Sequence, residues 1–283
     1  MRSGFVTLVG RPNVGKSSLV NRICGAKVSI VSDKPQTTRH RVRGILNRPD
    51  AQLVFVDTPG LHKPETALGR RVNATAIESV TESEAGVDVV GLVLDATAPF
   101  GSGDRWVADH LDLPTTIVIV NKIDRAVPDQ IVAQLGAAGE LGAEAYFPVS
   151  ARSGAGLDVL VDHLVARAPE GPAFFPLDAV RDVPEEQWVA ELVREQLLAV
   201  TRDELPYSIA TRVTEWEGNR ITVEIVVERE SQKGMVIGRG GQVLKEVGTR
   251  ARAQLPPDTY LELRVKVDKD WQRRPDRVER LGY

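Results

Sequence analysis

Short apolar runs alternate with helical patterns through the first part of the chain. The runs that predict β-strands are Phe5–Val9, Leu53–Val56, Val89–Leu94, Thr116–Val120 and Ala145–Pro148. Helical stretches lie between them, and residues 156–166 place their apolar positions on one helical face. Strands and helices that alternate in this way predict a mostly parallel, doubly wound α/β sheet with helices on both faces.

A different pattern follows a proline-rich stretch. Residues 169–184 contain four prolines and little helical periodicity, which predicts a semi-rigid linker. The elements predicted beyond it are a helix at Glu185–Ala199, strands at Ser208–Glu215, Arg220–Val227 and Tyr260–Val267, and two short helices between the last two strands. This α-β-β-α-α-β order predicts a smaller α+β domain, so we expect one domain at 1–168 and another at 185–283.

The net charge differs strongly between the two parts of the chain, although the total is close to zero. The 283 residues include 36 basic and 39 acidic side chains, for a net charge of −3. Residues 229–283 carry +5, whereas the residues before them carry −8. A single cysteine, Cys24, excludes an intramolecular disulfide, and no apolar run approaches the roughly 18 residues of a membrane helix. We therefore expect a soluble protein of a reducing compartment.

The first strand leads into a sequence typical of phosphate binding. The G-x-x-x-x-G-K-[ST] pattern is formed by Gly10, Arg11, Pro12, Asn13, Val14, Gly15, Lys16 and Ser17, with Ser18 following in the predicted helix. Loop amides and a helix N-terminus together favour phosphate anions. We expect Lys16 to reach the β and γ phosphates and the Ser17 hydroxyl to bind Mg²⁺. The alternative is a glycine-rich turn with an exposed lysine.

Three further segments follow predicted strands. The first contains Asp57, Thr58, Pro59, Gly60 and Leu61, the second Asn121, Lys122, Ile123 and Asp124, and the third Ser150 and Ala151. Asp57 is placed to hold Mg²⁺ through water, with the Gly60 amide facing the γ-phosphate. The Asp124 carboxylate can accept two hydrogen bonds from guanine, whereas adenine offers no such pair of donors. This disfavours an ATP-using enzyme, although each segment alone could be an ordinary turn.

The order and spacing of these four segments resemble the G domain of translation-factor-related GTPases. With Gln36–His40 as a first switch segment and the basic module around Val236–Gly241, the chain resembles the Era family of bacterial ribosome-assembly GTPases. The resemblance implies a P-loop G domain, a type II KH domain, GTP/GDP and Mg²⁺ as cofactors, and GTP hydrolysis. It also implies binding to the 3′ end of 16S rRNA and assistance in 30S subunit assembly. A cytoplasmic monomer is expected, and peripheral association with the cell membrane stays open.

The family's switch threonine binds Mg²⁺ when GTP is present. The resemblance assigns this role to Thr38, with its neighbour Thr37 as the alternative. Loss of the γ-phosphate should disorder residues 36–41. The segment Leu61-His62-Lys63 is expected to respond in the same way. The structural alternative is a solvated basic loop.

One element of the usual catalytic set is missing. Many GTPases have a glutamine after the glycine of the Asp-x-x-Gly motif, but Leu61 stands there and cannot orient water. Pro12 also removes one loop amide. We therefore expect slow intrinsic hydrolysis, with Lys16, Thr38 and Asn13 as catalytic candidates. The resemblance implies K⁺ coordination by Asn13; the alternative is that Asn13 only shapes the loop.

The C-terminal module carries a G-x-x-G sequence. Glycine allows the backbone to approach a nucleic-acid backbone closely, and unpaired bases are the usual targets of sequence-specific RNA binding. The candidate RNA-binding residues are Lys233, Gly238, Arg239, Gly240, Gly241, Lys245 and Arg250. The alternative is a helix–turn–helix corner with a solvated charged face. Trp271, beside several arginines, either extends the RNA surface or packs in a terminal helix.

The sequence thus predicts a two-domain GTP-hydrolysing switch that binds single-stranded rRNA. The competing hypothesis is a non-enzymatic RNA-binding assembly factor that uses guanine nucleotide as a structural cofactor. Leu61 favours the second hypothesis, whereas Asn13 favours the first.

Overall fold

The computed structural model describes residues 1–61, 64–81, 86–202 and 204–283. His62 and Lys63, predicted to respond to GTP, lie outside the described residues. The chain divides into two compact units. Unit 1 is drawn from Met1–Val31, Thr38–Lys63 and Val72–Asp182, and unit 2 from Ser32–Thr37, Pro64–Arg71 and Val183–Tyr283. No helix within the described residues is long and apolar enough to cross a membrane.

Unit 1 is built on a seven-stranded sheet. Its strands are β1 (Arg2–Val9), β2 (Val42–Asn47), β3 (Ala51–Asp57), β4 (Val89–Asp95), β5 (Thr116–Asn121), β6 (Ala145–Pro148) and β7 (Arg181–Asp182). The helices of this part of the chain are α1 (Lys16–Cys24), α2 (Ala67–Thr81), α3 (Ser102–Ala108), α4 (Pro128–Gly139) and α5 (Leu157–Arg167). The predicted α/β fold class is confirmed. All five predicted strands are present, and the sequence did not predict β2, whose apolar pattern is short, or the two-residue β7.

The strand order explains why the candidate residues meet. The sheet runs β6-β5-β4-β1-β3-β2-β7, with β1 parallel to both β3 and β4, and β5 parallel to β4 and β6. β2 is antiparallel to β3, and β7 is antiparallel to β2. The carboxyl ends of β1, β3, β5 and β6 therefore share one edge. Ligands of open α/β sheets bind at this edge, beside β1, where the order of strands in the sheet reverses.

The predicted linker is held along unit 1 for most of its length. The Ser3 N–H donates to the Pro169 carbonyl at 2.9 Å, and the Ile45 N–H donates to the Val180 carbonyl at 3.0 Å. The buried Gln52 side chain accepts from the N–H groups of Phe174 and Phe175. Residues up to Asp182 consequently belong to unit 1. The predicted domain bounds, 1–168 and 185–283, stay a prediction.

Unit 2 contains the α-β-β-α-α-β order. Its elements are α6 (Glu185–Val200), α7 (Leu205–Ser208), β8 (Ala210–Glu217), β9 (Arg220–Val227), α8 (Glu230–Ile237), α9 (Gln242–Arg252), β10 (Tyr260–Val267) and α10 (Pro275–Arg280). The sheet order is β10-β9-β8, with β10 parallel and β8 antiparallel to β9. β8 starts two residues later than predicted because residues 205–208 form a helical turn.

Trp271 lies in the core of unit 2. This side chain is fully buried, and its Nε1–H donates to the Ser208 carbonyl at 3.0 Å. Its ring stacks on Tyr283, with the centroids 6.0 Å apart. A buried indole with a satisfied N–H is a packing residue. Of the two interpretations left open by the sequence, the structure selects packing.

Candidate functional site

The phosphate loop joins the end of β1 to the start of α1. Gly10 and Gly15 have φ angles of +152° and +99°, which favour glycine. A Cβ on Gly10 would lie 2.5 Å from the Val93 carbonyl oxygen, and one on Gly15 would overlap the Asn121 amide. The two glycines of the motif are therefore required by local geometry.

Lys16 is buried within this loop, with only 6% of its surface exposed. Its Nζ donates to the carbonyl oxygens of Gly10 at 2.9 Å and Arg11 at 3.0 Å. Burial lowers the pKa of Lys16 to about 8, while the nearby Asp57 carboxylate acts in the opposite direction. A phosphate anion would compensate the ammonium for its lost hydration. This geometry fits the predicted phosphate-binding role.

Three oxygen-bearing side chains converge beside the loop. The Ser17 and Thr38 hydroxyl oxygens are 2.9 Å apart, and Thr38 Oγ1 lies 3.5 Å from Asp57 Oδ2. Asp57 is fully buried, burial raises its pKa, and its Oδ1 has no hydrogen-bond partner among the described residues. Oxygen donors around a buried carboxylate suit Mg²⁺, which would satisfy the orphaned oxygen. The residues present therefore fit this metal.

The two candidate switch threonines are separated by their contacts. Thr38 faces Ser17 and Asp57, whereas the Thr37 hydroxyl donates to the Lys34 carbonyl at 2.6 Å. The geometry thus favours Thr38 as the metal-binding threonine, and its role stays a prediction.

Gly60 lies directly against the phosphate loop. A Cβ at this position would come within 2.6 Å of the Pro12 nitrogen, so only glycine allows this approach. The neighbouring Pro59 and Thr58 are buried, and the Thr58 hydroxyl donates to the Leu8 carbonyl at 2.7 Å. These contacts give Thr58 a structural role and place Gly60 next to the expected phosphate position.

Leu61 turns into the core instead. It is 3% exposed and packs in an apolar cluster that includes Val9 and Leu92. Its N–H donates to the Gly10 carbonyl at 3.2 Å. The position therefore supplies no polar side chain to the phosphate edge, which supports the prediction of slow intrinsic hydrolysis.

Asn121 ties two loops of the predicted base-binding region together. It is 1% exposed, its Nδ2 donates to the Val14 carbonyl at 3.0 Å, and its Oδ1 accepts from the Ala151 N–H at 3.0 Å. Val14 is itself buried, so it contributes through its backbone. Asn121 thus acts by positioning loops.

Asp124, the residue predicted to select guanine, is exposed. Asp124 lies in the 3₁₀ turn Ile123–Arg125, and the buried Ser150 hydroxyl donates to Asp124 Oδ1 at 2.6 Å. Because Asp124 is otherwise at the surface, its carboxylate can receive a base edge while Ser150 holds its orientation. The Ile123 N–H donates to the Val149 carbonyl at 3.2 Å, which anchors the turn.

Lys122 links this region to the phosphate loop. Its Nζ lies 2.5 Å from the Asn13 carbonyl oxygen and 2.6 Å from Asp95 Oδ2. Asn13 is exposed with φ of +64°, a conformation that asparagine adopts more readily than most residues. The backbone geometry fits a loop-shaping role for Asn13, and its exposed amide also leaves the K⁺ prediction open.

Sequence reasoning missed two supporting groups. Asn21 on α1 uses its amide to bind the backbone of Val28 and Ser29 through three hydrogen bonds of 2.8 Å. Asp95 holds Lys122. Asp95 ends an apolar strand at the same sheet edge as Asp57, which is a signal that the sequence did contain. Asn21 carried no comparable signal. Ser18, predicted to touch nucleotide, is half-buried on α1.

The G-x-x-G segment lies between α8 and α9 in unit 2. Gly238 has φ of +74°, and a Cβ there would come within 2.9 Å of the Val243 backbone nitrogen. Gly240 and Gly241 also have positive φ angles, of +60° and +78°, but open space surrounds them. Gly238 therefore permits close helix packing, while the other two leave an unobstructed backbone surface for a ligand.

Basic side chains surround this loop. Arg239, Lys245 and Arg250 are exposed, and Lys233 is half-buried. Arg250 pairs with Glu246 at 2.6 Å, a surface interaction of small energetic value. The structure brings the seven predicted RNA-binding residues onto one helix–turn–helix segment, and their contact with RNA stays a prediction.

Comparisons with known proteins agree with the fold of both units. The family model described as a 50S ribosome-binding GTPase matches residues 5–122, and the KH domain model matches residues 204–272. The fold and the nucleotide site thus define a GTPase with a C-terminal KH domain. The chain is 49% identical to GTPase Era of Mycobacterium tuberculosis strain H37Rv, covering 99% of this chain and 98% of that protein. The chain therefore belongs to the Era family of GTPases.

Other relatives support the same assignment. GTPase Era of Mycobacterium avium is 47% identical, with 100% of this chain and 99% of that protein covered. A crystal structure of a point variant of Aquifex aeolicus Era bound to GDP and AlF₄⁻ has a TM-score of 0.93 and 39% identity. Era in complex with MgGDPNP and nucleotides 1506–1542 of 16S rRNA gives the same two values. Both matches cover 100% of this chain and 99% of the other. The predicted family and GTPase activity are confirmed.

Proposed function

We propose that this GTPase is a switch that binds the 3′ end of 16S rRNA and assists assembly of the 30S ribosomal subunit. The RNA assignment is supported by the KH domain match and by the related Era that was crystallised with 16S rRNA nucleotides 1506–1542. The basic residues around the G-x-x-G loop supply the charge that RNA binding requires. The GTP assignment is supported by the arrangement of loops at the carboxyl edge of the sheet.

The observation that best supports a nucleotide-dependent switch is the position of Thr38. Its hydroxyl lies between Ser17 and Asp57, at 2.9 Å and 3.5 Å. Mg²⁺ would be held by Ser17, Thr38 and, through water, Asp57, where it would neutralise charge on the β and γ phosphates. Thr38 belongs to a loop, so a contact made only with GTP and Mg²⁺ can order that loop.

Paired variants of adjacent threonines test this proposal. Thr38→Ala should weaken binding of a GTP analogue about tenfold or more in Mg²⁺ and leave GDP binding within about twofold, because GDP lacks the γ-phosphate. Thr37→Ala is the control, since its hydroxyl bonds to Lys34. Equal losses for GTP analogue and GDP, or equal effects of both variants, would show that Thr38 does not sense the γ-phosphate.

The RNA part requires a separate experiment. A short fragment of the 16S rRNA 3′ end should bind the full chain more tightly than a fragment of the same length and scrambled sequence. If the switch acts on RNA, the affinity of the fragment should differ between the GTP-analogue and GDP complexes. By linkage, RNA should then change the relative affinity for the two nucleotides by the same factor. Equal affinities in the two nucleotide states would argue against a switch that acts on RNA.

We further propose that Asn13 binds K⁺ beside the phosphates, where a second cation would offset the missing glutamine at Leu61. Hydrolysis should then be faster in K⁺ than in Na⁺, and Asn13→Ala should remove the difference. Equal rates in all four assays would leave Asn13 with its loop-shaping role alone.

The cellular setting of the protein is also a proposal. A cytoplasmic monomer associated with 30S subunits is the arrangement expected from family membership. Sedimentation of cell extracts should place the protein with 30S particles or free at its monomer mass. Recovery in the washed membrane fraction would support peripheral membrane association.

A further inference from the structure

An ion pair joins the phosphate loop to the start of α3. Arg11 Nε lies 2.6 Å from Asp104 Oδ1, and the Asp104 side chain is 1% exposed, whereas that of Arg11 is 33% exposed. Both residues belong to unit 1. Removing a carboxylate from water is costly unless charged or hydrogen-bonded partners compensate it, and the Arg11 guanidinium is a cation that Asp104 contacts.

The surroundings of the pair are shaped to hold it. Asp104 Oδ2 accepts the Gly101 N–H at 3.0 Å, so each carboxylate oxygen has a partner. A Cβ at Gly103 would lie 2.6 Å from Arg11 Cδ, so the absence of a side chain there allows the arginine stem to lie against the helix. The contact therefore depends on three neighbouring residues of one turn and is not an incidental surface pair.

The same residue contacts the phosphate-loop lysine through its backbone. The Arg11 carbonyl oxygen accepts from Lys16 Nζ at 3.0 Å. Arg11 also separates Gly10 from Pro12, which packs against Gly60. Fixing the Arg11 side chain on α3 thus fixes the section of backbone that meets both Lys16 and Gly60.

We propose that the Arg11–Asp104 ion pair positions the phosphate loop, so that α3 contributes to nucleotide affinity without touching nucleotide. The inference rests on the nucleotide site of the proposed function. Arg11 was predicted to bind the cofactor; here its side chain is a positioning group. Small displacements of a binding loop reduce affinity and rate strongly, because the loop must then be ordered by the ligand.

A double-mutant cycle tests the pair. Arg11→Met removes the charge and keeps an apolar stem of similar length, and Asp104→Asn removes the charge and keeps an acceptor for Gly101. Each single variant should raise the dissociation constants of GDP and a GTP analogue about tenfold, with KM rising more than kcat changes. The double variant should be no weaker than the singles, because either substitution already breaks the pair.

The matched control is the pair Arg48–Asp162, which has the same chemistry and an Nη1–Oδ1 distance of 2.7 Å in the same unit. Arg48→Met and Asp162→Asn should leave nucleotide dissociation constants within about twofold of the wild type, because an exposed pair contributes little. Arg11→Lys should restore part of the lost affinity, because it retains a cation. Thermal unfolding of every variant without nucleotide separates a change of stability from a change of affinity.

The outcomes are distinct. Nucleotide affinities unchanged from the wild type for both Arg11→Met and Asp104→Asn would overturn the proposal, as would losses that simply multiply in the double variant. An equal response of the control pair would also overturn it. If Arg11→Met does not fold, Asp104→Asn and Arg11→Lys decide the question by the same criterion. Failure of the wild-type chain to prefer guanine nucleotides would instead refute the proposed nucleotide site.

Discussion

Asn121→Ala offers a direct test of how the nucleotide loops are held together. The side chain is 1% exposed and joins the Val14 carbonyl to the Ala151 N–H with two hydrogen bonds of 3.0 Å. Alanine would leave one acceptor and one donor without this partner. The two groups lie in different loops, so the loss should affect the spacing between the phosphate and base-binding regions.

The magnitude follows from the two broken bonds. A buried polar group left without its partner costs about 1–3 kcal/mol, and water that enters the space of the missing amide reduces this cost. Two such groups give roughly 2–4 kcal/mol, which is roughly a 30- to 700-fold increase in the nucleotide dissociation constant if the whole cost falls on the bound state. Any part that falls on the free protein will lower its unfolding free energy instead.

Titration with a fluorescent GDP analogue measures the nucleotide dissociation constant, and denaturant unfolding without nucleotide measures the unfolding free energy. Gln134→Ala is the control, because Gln134 is a buried amide on α4 at 2% exposure in the same unit. It should change stability without a comparable change in nucleotide affinity. An Asn121→Ala protein with unchanged GDP affinity and unchanged stability would refute the reasoning.

Three more predictions concern base selection, hydrolysis and the RNA loop. Asp124→Asn should shift preference from guanosine to xanthosine triphosphate, because the amide offers a donor to the xanthine O2; competition binding would show an unchanged preference if Asp124 does not contact the base. Leu61→Gln should lower the unfolding free energy by about 1–3 kcal/mol, since it buries an amide, and should not accelerate hydrolysis; a faster single-turnover rate would contradict this. Gly238→Ala should destabilise unit 2 more than Gly240→Ala, because only the first Cβ meets Val243; equal losses in thermal unfolding would refute the steric argument.

Much of the nucleotide site was predictable because its residues form short contiguous motifs. Gly10 and Gly15 are required by local backbone conformation, and Lys16 and Ser17 follow them in the same turn. The alternation of apolar runs also predicted the parallel sheet, and parallel strands bring their carboxyl ends to one edge. Asp57 and Asp124 could thus be assigned to one site although they are far apart in the sequence.

Other features depend on contacts between residues distant in the chain. The choice of Thr38 over Thr37, the turn of Leu61 into the core, and the burial of Trp271 each depend on which side of the local backbone meets a neighbouring element. The Arg11–Asp104 pair joins positions that no sequence motif connects. Local sequence therefore determined the chemistry available at the sheet edge, whereas only tertiary packing decided which side chains face the ligand and which support it.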